Sequence, residues 1–170
     1  MSSKRVLVIA LVALGFFCVI GQEAAAKKFT KSKLSYYVQV LRGDPSLGIL
    51  LQPINASFSN AMGYTTIFNL NVTEAQSNTS TAVGFARGYT ISTGYKVNEY
   101  SGFESEIISY DDGTYKGTIH FQAMLDGSSA EVAVLGGTGS FRGVRGWGTV
   151  TQVLLNPPYV VFYHQLHFMK

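Results

Sequence analysis

From Leu34 onward, apolar residues return at every second position, the repeat of a half-buried strand rather than of a helix. Leu34–Leu41 places Leu34, Tyr36, Val38 and Val40 on one face. Tyr64, Thr66, Phe68, Leu70 and Val72 alternate with Thr65, Ile67, Asn69 and Asn71. In Thr81–Ser92 one side is small (Ala82, Gly84, Ala86, Gly88, Thr90) and the other carries Val83, Phe85, Arg87, Tyr89 and Ile91. Phe103–Tyr110 and Tyr115–Leu125 flank Asp111-Asp112-Gly113, a hairpin signal, and the second of them puts Ile119, Phe121, Ala123 and Leu125 on one face. A short strand follows over Ala130–Leu135. Val144–Leu155 and Tyr159–Phe168 then meet at Asn156-Pro157-Pro158.

These segments predict an all-β chain of eight strands with no long linker. A single antiparallel barrel or sandwich accommodates them, and closure into an eight-stranded antiparallel β-barrel removes exposed edges. A strand whose inward residues are small leaves space in such a barrel, enough for one small ligand. The last strand places Val160, Phe162, His164, Leu166 and Phe168 on one side, so one imidazole lies among apolar groups.

The first residues read differently. Lys4 and Arg5 precede an apolar run of 15 residues, Val6–Ile20, and the segment ends in Ala24-Ala25-Ala26. That order predicts a secretory signal peptide over residues 1–26, cleaved after Ala26. The run is short of the roughly 20 residues that span a bilayer, so no membrane span is expected. The single Cys, Cys18, lies within it, so the processed chain forms no disulfide. Residues 27–33 form a basic arm with four lysines, while residues 34–170, the barrel domain, carry 7 basic and 9 acidic side chains. The arm is read as a solvated terminus or as a contact for polyanions. Three N-x-S/T acceptors, at Asn55, Asn71 and Asn78, suit a secreted glycoprotein.

Candidate chemistry is sparse. Leu135–Gly148 (LGGTGSFRGVRGWG) contains six glycines but lacks the Gly-Lys-Ser/Thr of a P-loop and misses the Rossmann spacing at Arg142. It reads as a strand, a sharp turn and a glycine-kinked strand. Arg142 and Arg145 pair with acidic neighbours or hold an anion. His164 and His167 are three apart on a strand, hence on opposite faces, and His120 does not complete a metal triad with them. His164 is either a core imidazole or a general acid–base in an apolar cavity. The domain body is not basic and carries no RNA-binding signature, which argues against nucleic acid.

One block is more specific. Val134-Leu135-Gly136-Gly137-Thr138-Gly139-Ser140-Phe141-Arg142, followed by Val144-Arg145-Gly146, closely resembles the V-x-G-G-T-G-x-F-R-x-A-R-G signature of plant dirigent proteins. Val83–Tyr89, Tyr115-Lys116-Gly117-Thr118 and the terminal VVFYHQLHF are similar to further segments of that family. The resemblance implies a glycosylated barrel secreted to the apoplast and assembled as a homo-oligomer, trimer or dimer. It also implies a role in orienting phenoxy radicals, such as those of coniferyl alcohol, for stereoselective coupling in lignan formation. A separate laccase or peroxidase would make the radicals, so the protein would need neither metal nor cofactor and would not itself be the oxidising enzyme.

Some expected cavity residues differ. Gln39-Val40 stands where the family's first strand carries His-Asp, Thr90 where it carries a Tyr, and Leu125, or Asp126 with a one-residue shift, where it carries a second carboxylate. The Arg expected before Gly136 and the usual disulfide have no counterpart. The expected site therefore combines His164 and Asp126 as catalytic polar groups with Tyr36, Val38, Val40, Thr90, Phe121 and Leu125 around the ligand. Gln52-Pro53-Ile54-Asn55 and Leu154-Leu155-Asn156-Pro157 are also similar to segments of allene oxide cyclases, barrels that isomerise a lipid epoxide. There Asn55 would hold a water near the epoxide. A non-catalytic cell-wall binding protein with a filled barrel is the third expectation.

Overall fold

A computed structural model of the chain describes residues 26–55, 57, 61–96 and 101–169; the predicted signal segment before Ala26 lies outside them. The strands are β1 (Lys33–Leu41), β2 (Leu47–Leu51), β3 (Thr65–Thr73), β4 (Ala82–Ser92), β5 (Gly102–Asp111), β6 (Lys116–Leu125), β7 (Ser129–Gly137), β8 (Gly146–Asn156) and β9 (Tyr159–Phe168). They form one antiparallel sheet in the order β1-β9-β8-β7-β6-β5-β4-β3-β2. Pairing of β1 with β3 closes it into an eight-stranded barrel, with β2 as an additional strand. All eight expected strands are present. The ninth, β2, has the sequence LGILL, which is apolar without alternation and carries no period-two signal.

The two ends of β3 share one edge between two partners. Its later half pairs with β1 through Tyr37↔Thr73, Val38↔Val72 and Gln39↔Asn71. Its earlier half pairs with β2 through Leu47↔Phe68, Gly48↔Ile67 and Ile49↔Thr66. Beyond Gln39, β1 keeps only its ladder to β9, ending at Leu41↔Tyr159. The residues between β1 and β2 therefore sit where the first stave splits, and the barrel is open at that end.

Inside, the alternation predicted from sequence holds along most strands. Tyr36, Val38 and Val40 of β1, Leu70 and Val72 of β3, Ile119, Phe121 and Ala123 of β6, and His164 and Leu166 of β9 are all buried. On β4 the small face points inward from Gly84 to Thr90, but Val83 is buried and Ala82 exposed. The β3–β4 ladder slips by one residue between Val72 and Thr73, which reverses the two faces at that point.

The other end of the barrel is stoppered by aromatic rings. The glycine-rich block supplies the stopper: Gly139–Phe141 makes a single 3-10 turn that drives Phe141 into full burial. Phe29 packs on Phe141 at 5.0 Å between ring centroids, on Tyr115 at 4.9 Å and on Phe168 at 5.0 Å. Its backbone N–H also donates to the Ser140 carbonyl at 2.8 Å. The basic arm is therefore docked through Phe29, while its four lysines remain exposed to solvent. Lys27 and Lys31 lie over the Tyr115 ring, each 5.4 Å from its centroid. The predicted hairpin is also present, with Asp112 Oδ1 accepting from the N–H groups of Thr114 and Tyr115 and Gly113 at φ 78°.

Gly139 is held at φ 56°, and a Cβ there would lie 2.3 Å from the Lys116 carbonyl oxygen. Left-handed backbone costs a non-glycine residue about 1–2 kcal/mol before any clash. Gly139→Ala is expected to lower unfolding free energy by at least about 2 kcal/mol. Urea titration followed by tryptophan fluorescence measures this; an unchanged midpoint would refute the role of this turn.

Candidate functional site

Between the aromatic stopper and the open end lies a cavity of about 460 Å³. Val38, Val40, Phe68, Leu70, Val150, Val160 and Phe162 make its apolar wall. Arg42, Tyr64, Ser92, Gln152 and Gly127–Ser129 ring the mouth, in the loops and strand ends where β1 gives way to β2. The lumen is open because β4 contributes little volume. Gly88 has no side chain, and the tip of the Phe68 ring lies 2.9 Å from where its Cβ would be.

Two carboxyl groups face this apolar space. Glu104 and Glu106 are two apart on β5 and so share its inner face with Ile108 and Tyr110. Glu104 lies opposite Thr90 on β4 and Ala123 on β6, and Glu106 opposite Gly88 and Phe121. Thr90 Oγ1 donates to Glu104 Oε2 at 3.0 Å, and the Glu106 carboxyl donates to Glu104. Neither has a cationic partner among the described residues. Burial, then repulsion from Glu104, pushes the Glu106 carboxyl well above the usual carboxylate range. Burial raises Glu104 too, while the hydrogen bonds from Thr90 and Glu106 pull it partly back. Two carboxyls in one apolar site cannot both ionise cheaply, so burial and mutual repulsion hold the Glu106 carboxyl toward its protonated form.

His164 sits across the ladder from Tyr36, with ring centroids 5.0 Å apart, and 5.6 Å from the Phe121 ring. Burial lowers its pKa from 6.5 to about 3, so the imidazole is neutral across the physiological range. Tyr36 is completely buried, and its phenol is pushed up by burial and by the nearby Glu106.

Of the residues expected at the site, His164, Val38, Val40, Thr90 and Leu125 lie in the cavity wall. Tyr36 and Phe121 lie behind His164 as packing partners and are not part of the wall. Asp126 is placed elsewhere: β6 ends at Leu125, and the next residue turns out into solvent. Asn55 is likewise exposed, its Oδ1 accepting from the Ser57 N–H at 3.1 Å, so it holds nothing inside the barrel. Asn71 and Asn78 are also exposed. Arg142 and Arg145 make no ion pair among the described residues. His167 faces outward and stacks on Trp147 at 4.2 Å, and no group of three metal-ligating side chains occurs among the described residues.

The expected set omits Glu104 and Glu106. The reason is local: Phe103 and Ile107 compete with Ile108 and Tyr110 for the inner face of the same strand, so alternation alone does not orient it. A signal was present nonetheless. Two glutamates on one face with Ile108 and Tyr110 are either a solvated edge or a buried pair.

A closed antiparallel barrel with a deep, mostly apolar lumen and a few inward polar groups belongs to the barrels with room inside for one small ligand. Residues 31–167 match the family of Dirigent-like proteins, and the chain belongs to that family. No curated protein matches it in sequence. Among solved structures it is similar to the pterocarpan synthase dirigent protein GePTS1, with 23% identity, a TM-score of 0.69 and coverage of 85% of this chain and 93% of that one. The pterocarpan synthase dirigent protein PsPTS1 is similar at 22% identity and a TM-score of 0.66, with 85% and 98% covered. These likenesses establish the shared fold.

Protons report on the site. Glu106 keeps its proton longer when folded than when unfolded, so its contribution to stability is complete below about pH 4.5 and is lost as pH rises. Glu106→Gln is therefore expected to stabilise the protein little at pH 5 and progressively more toward pH 8, with a slope of up to about 1.4 kcal/mol per pH unit. His164 works in the opposite sense, losing stability as pH falls from 6.5 toward about 3, and His164→Gln should flatten that acid limb. Urea unfolding across this range checks both; curves parallel to wild type would show that neither group is buried as described.

Proposed function

We propose that the lumen binds a phenolic radical and holds it for stereoselective coupling, with a laccase or peroxidase making the radical outside the protein. The observation that carries this reading is an apolar cavity of about 460 Å³, open at one end, with Glu104, Glu106 and His164 as its deep polar groups. That volume lies in the range of roughly 300–1,000 Å³ that encloses a small organic ligand. It also weighs against a filled barrel with a purely structural role. Fixing one face of a planar ring against Phe68 and Phe162 restricts the approach of a second radical, which is catalysis by orientation. The exposed position of Asn55 removes the residue that an epoxide isomerase would have used for its water.

A second reading is favoured by the carboxyl pair. The neighbouring structures are named pterocarpan synthases, and a proton-sharing pair suits cyclisation of a phenolic. Glu106 would protonate a departing hydroxyl, which leaves as water, while a phenol oxygen closes the ring and gives its proton to Glu104. The order of residues 1–26 supports secretion to the apoplast, and the exposed Asn55, Asn71 and Asn78 support glycosylation. Assembly as a trimer or dimer would use the outer face where Ile67, Phe85, Tyr89 and Ile107 are 40–45% exposed.

The test mixes purified protein, coniferyl alcohol and a one-electron oxidant and resolves the dimers on a chiral column. An enantiomeric excess that grows with protein concentration is expected. Racemic dimers at every ratio would refute coupling of this substrate. In that case an excess of one enantiomer from a racemic phenolic alcohol, formed without oxidant, would identify the cyclising activity.

A further inference from the structure

The charges of the barrel are sorted between its two ends. Of the ten cationic side chains among the described residues, seven lie at the stoppered end: the four lysines of the arm, Lys116, Arg142 and Arg145. Segments far apart in sequence bring them there. Phe29 of the arm bonds to Ser140 and the Ser32 carbonyl accepts from Phe168, while Met169 bonds to the Arg145 carbonyl. The Lys116 N–H donates to Ser140 Oγ at 3.0 Å. Lys27 and Lys31 are held beside one ring, that of Tyr115. All seven side chains are exposed. The acidic groups at this end are Glu74, Asp111 and Asp112, and Asp111 is already paired with Lys116 at 3.0 Å. Arg142, Arg145 and the arm lysines make no ion pair among the described residues. Elsewhere the balance reverses, with Arg42, Arg87 and Lys96 against Asp44, Glu104, Glu106, Asp126 and Glu131.

We propose that the stoppered end is a docking face for a linear carboxylate polymer, a polyuronate, which holds the barrel with its mouth turned away from the polymer. Seven like charges on one face repel one another, and a polyanion relieves that repulsion while releasing its own counterions. The face has no pocket, so it reads charge density along a chain and not the shape of one small anion. Five of the seven cations are lysines, compact point charges without the planar fork that favours phosphate. The rings at this end, Phe29, Tyr115, Phe141 and Phe168, are buried and offer bases nothing to stack on. Membrane docking would set apolar side chains among the cations. The aliphatic side chains that are more than half exposed, Ile49, Leu50, Leu51 and Leu155, lie at the mouth instead. Met169 and Trp147 are exposed toward the stoppered end but stand apart, one near the terminus and one stacked on His167. The choice of a polyuronate over an intracellular polyanion rests on the secretion that residues 1–26 support. The docking face itself is separate from the lumen.

Binding of the purified protein to polygalacturonate, followed by affinity electrophoresis, tests this. The neutral twin is the same polymer with its carboxylates methyl-esterified. The acid form is expected to bind at least about tenfold more tightly than the ester, and to lose at least about tenfold in affinity between 50 and 200 mM salt. Lys27→Gln, Lys28→Gln and Lys31→Gln together should weaken binding about tenfold, and so should Arg142→Gln with Arg145→Gln. Arg42→Gln, Arg87→Gln and Lys96→Gln together remove the same charge as the lysine triple and should change binding less than twofold. Near-UV circular dichroism confirms that each variant is folded. Equal weakening by the two triple variants would overturn the docking face in favour of net charge alone. Equal retention by acid and ester would overturn the electrostatic basis. Tighter binding to duplex DNA, or to phosphatidylglycerol vesicles, would overturn the polyuronate in favour of nucleic acid or a membrane. None of these outcomes bears on enantiomeric excess in the coupling assay, so this proposal and the reading of the lumen fail separately.

Discussion

Three rungs, from Tyr37↔Thr73 to Gln39↔Asn71, convert a sheet into a barrel, and the rest of the molecule depends on them. Without them β1 and β3 would each present an unpaired edge, and the inner face would be open to water. With them, a row of residues that would otherwise form one face of a sheet becomes the wall of an enclosed space. The closure is partial by construction. β1 stays on β9 while β2 takes its place along β3, so the same seam that seals one half of the barrel leaves the mouth in the other half.

Enclosure then sets the chemistry. Glu104, Glu106 and His164 are ordinary side chains with ordinary solution behaviour, and the lumen changes all three in the direction that removes charge. The outcome is an apolar lumen whose deep polar groups are held toward their uncharged forms. The apolar wall and the small face of β4 supply room, and the deep polar groups supply direction.

Much of this architecture could be read from residue order. Period-two alternation locates eight of the nine strands, and the Gly-Gly-Thr-Gly block marks both the family and the turn that carries Phe141 into the core. What escapes has specific causes. LGILL has no alternation, so β2 looks like a generic apolar stretch. On β5 both faces carry large apolar residues, and only the ladder, which sets Ile108 between Ala86 and Ile119, decides that Glu104 and Glu106 turn inward. Asp126 misses the lumen by one residue because a strand ends before it. Phe29 is a lone aromatic among lysines, and nothing local tells it from a solvated terminus.

The docking of Phe29 ties the basic arm to the barrel core. Cleavage after Ala26 would leave Lys27 and Lys28 as the only residues ahead of the ring that completes the aromatic stopper. A peptidase trimming three residues further would remove that ring and with it the hydrogen bond to Ser140, opening the sealed end of the barrel to water. The arm ahead of β1 is thus tied to the core by a single ring, and any change that removed Phe29 would breach the sealed end of the barrel.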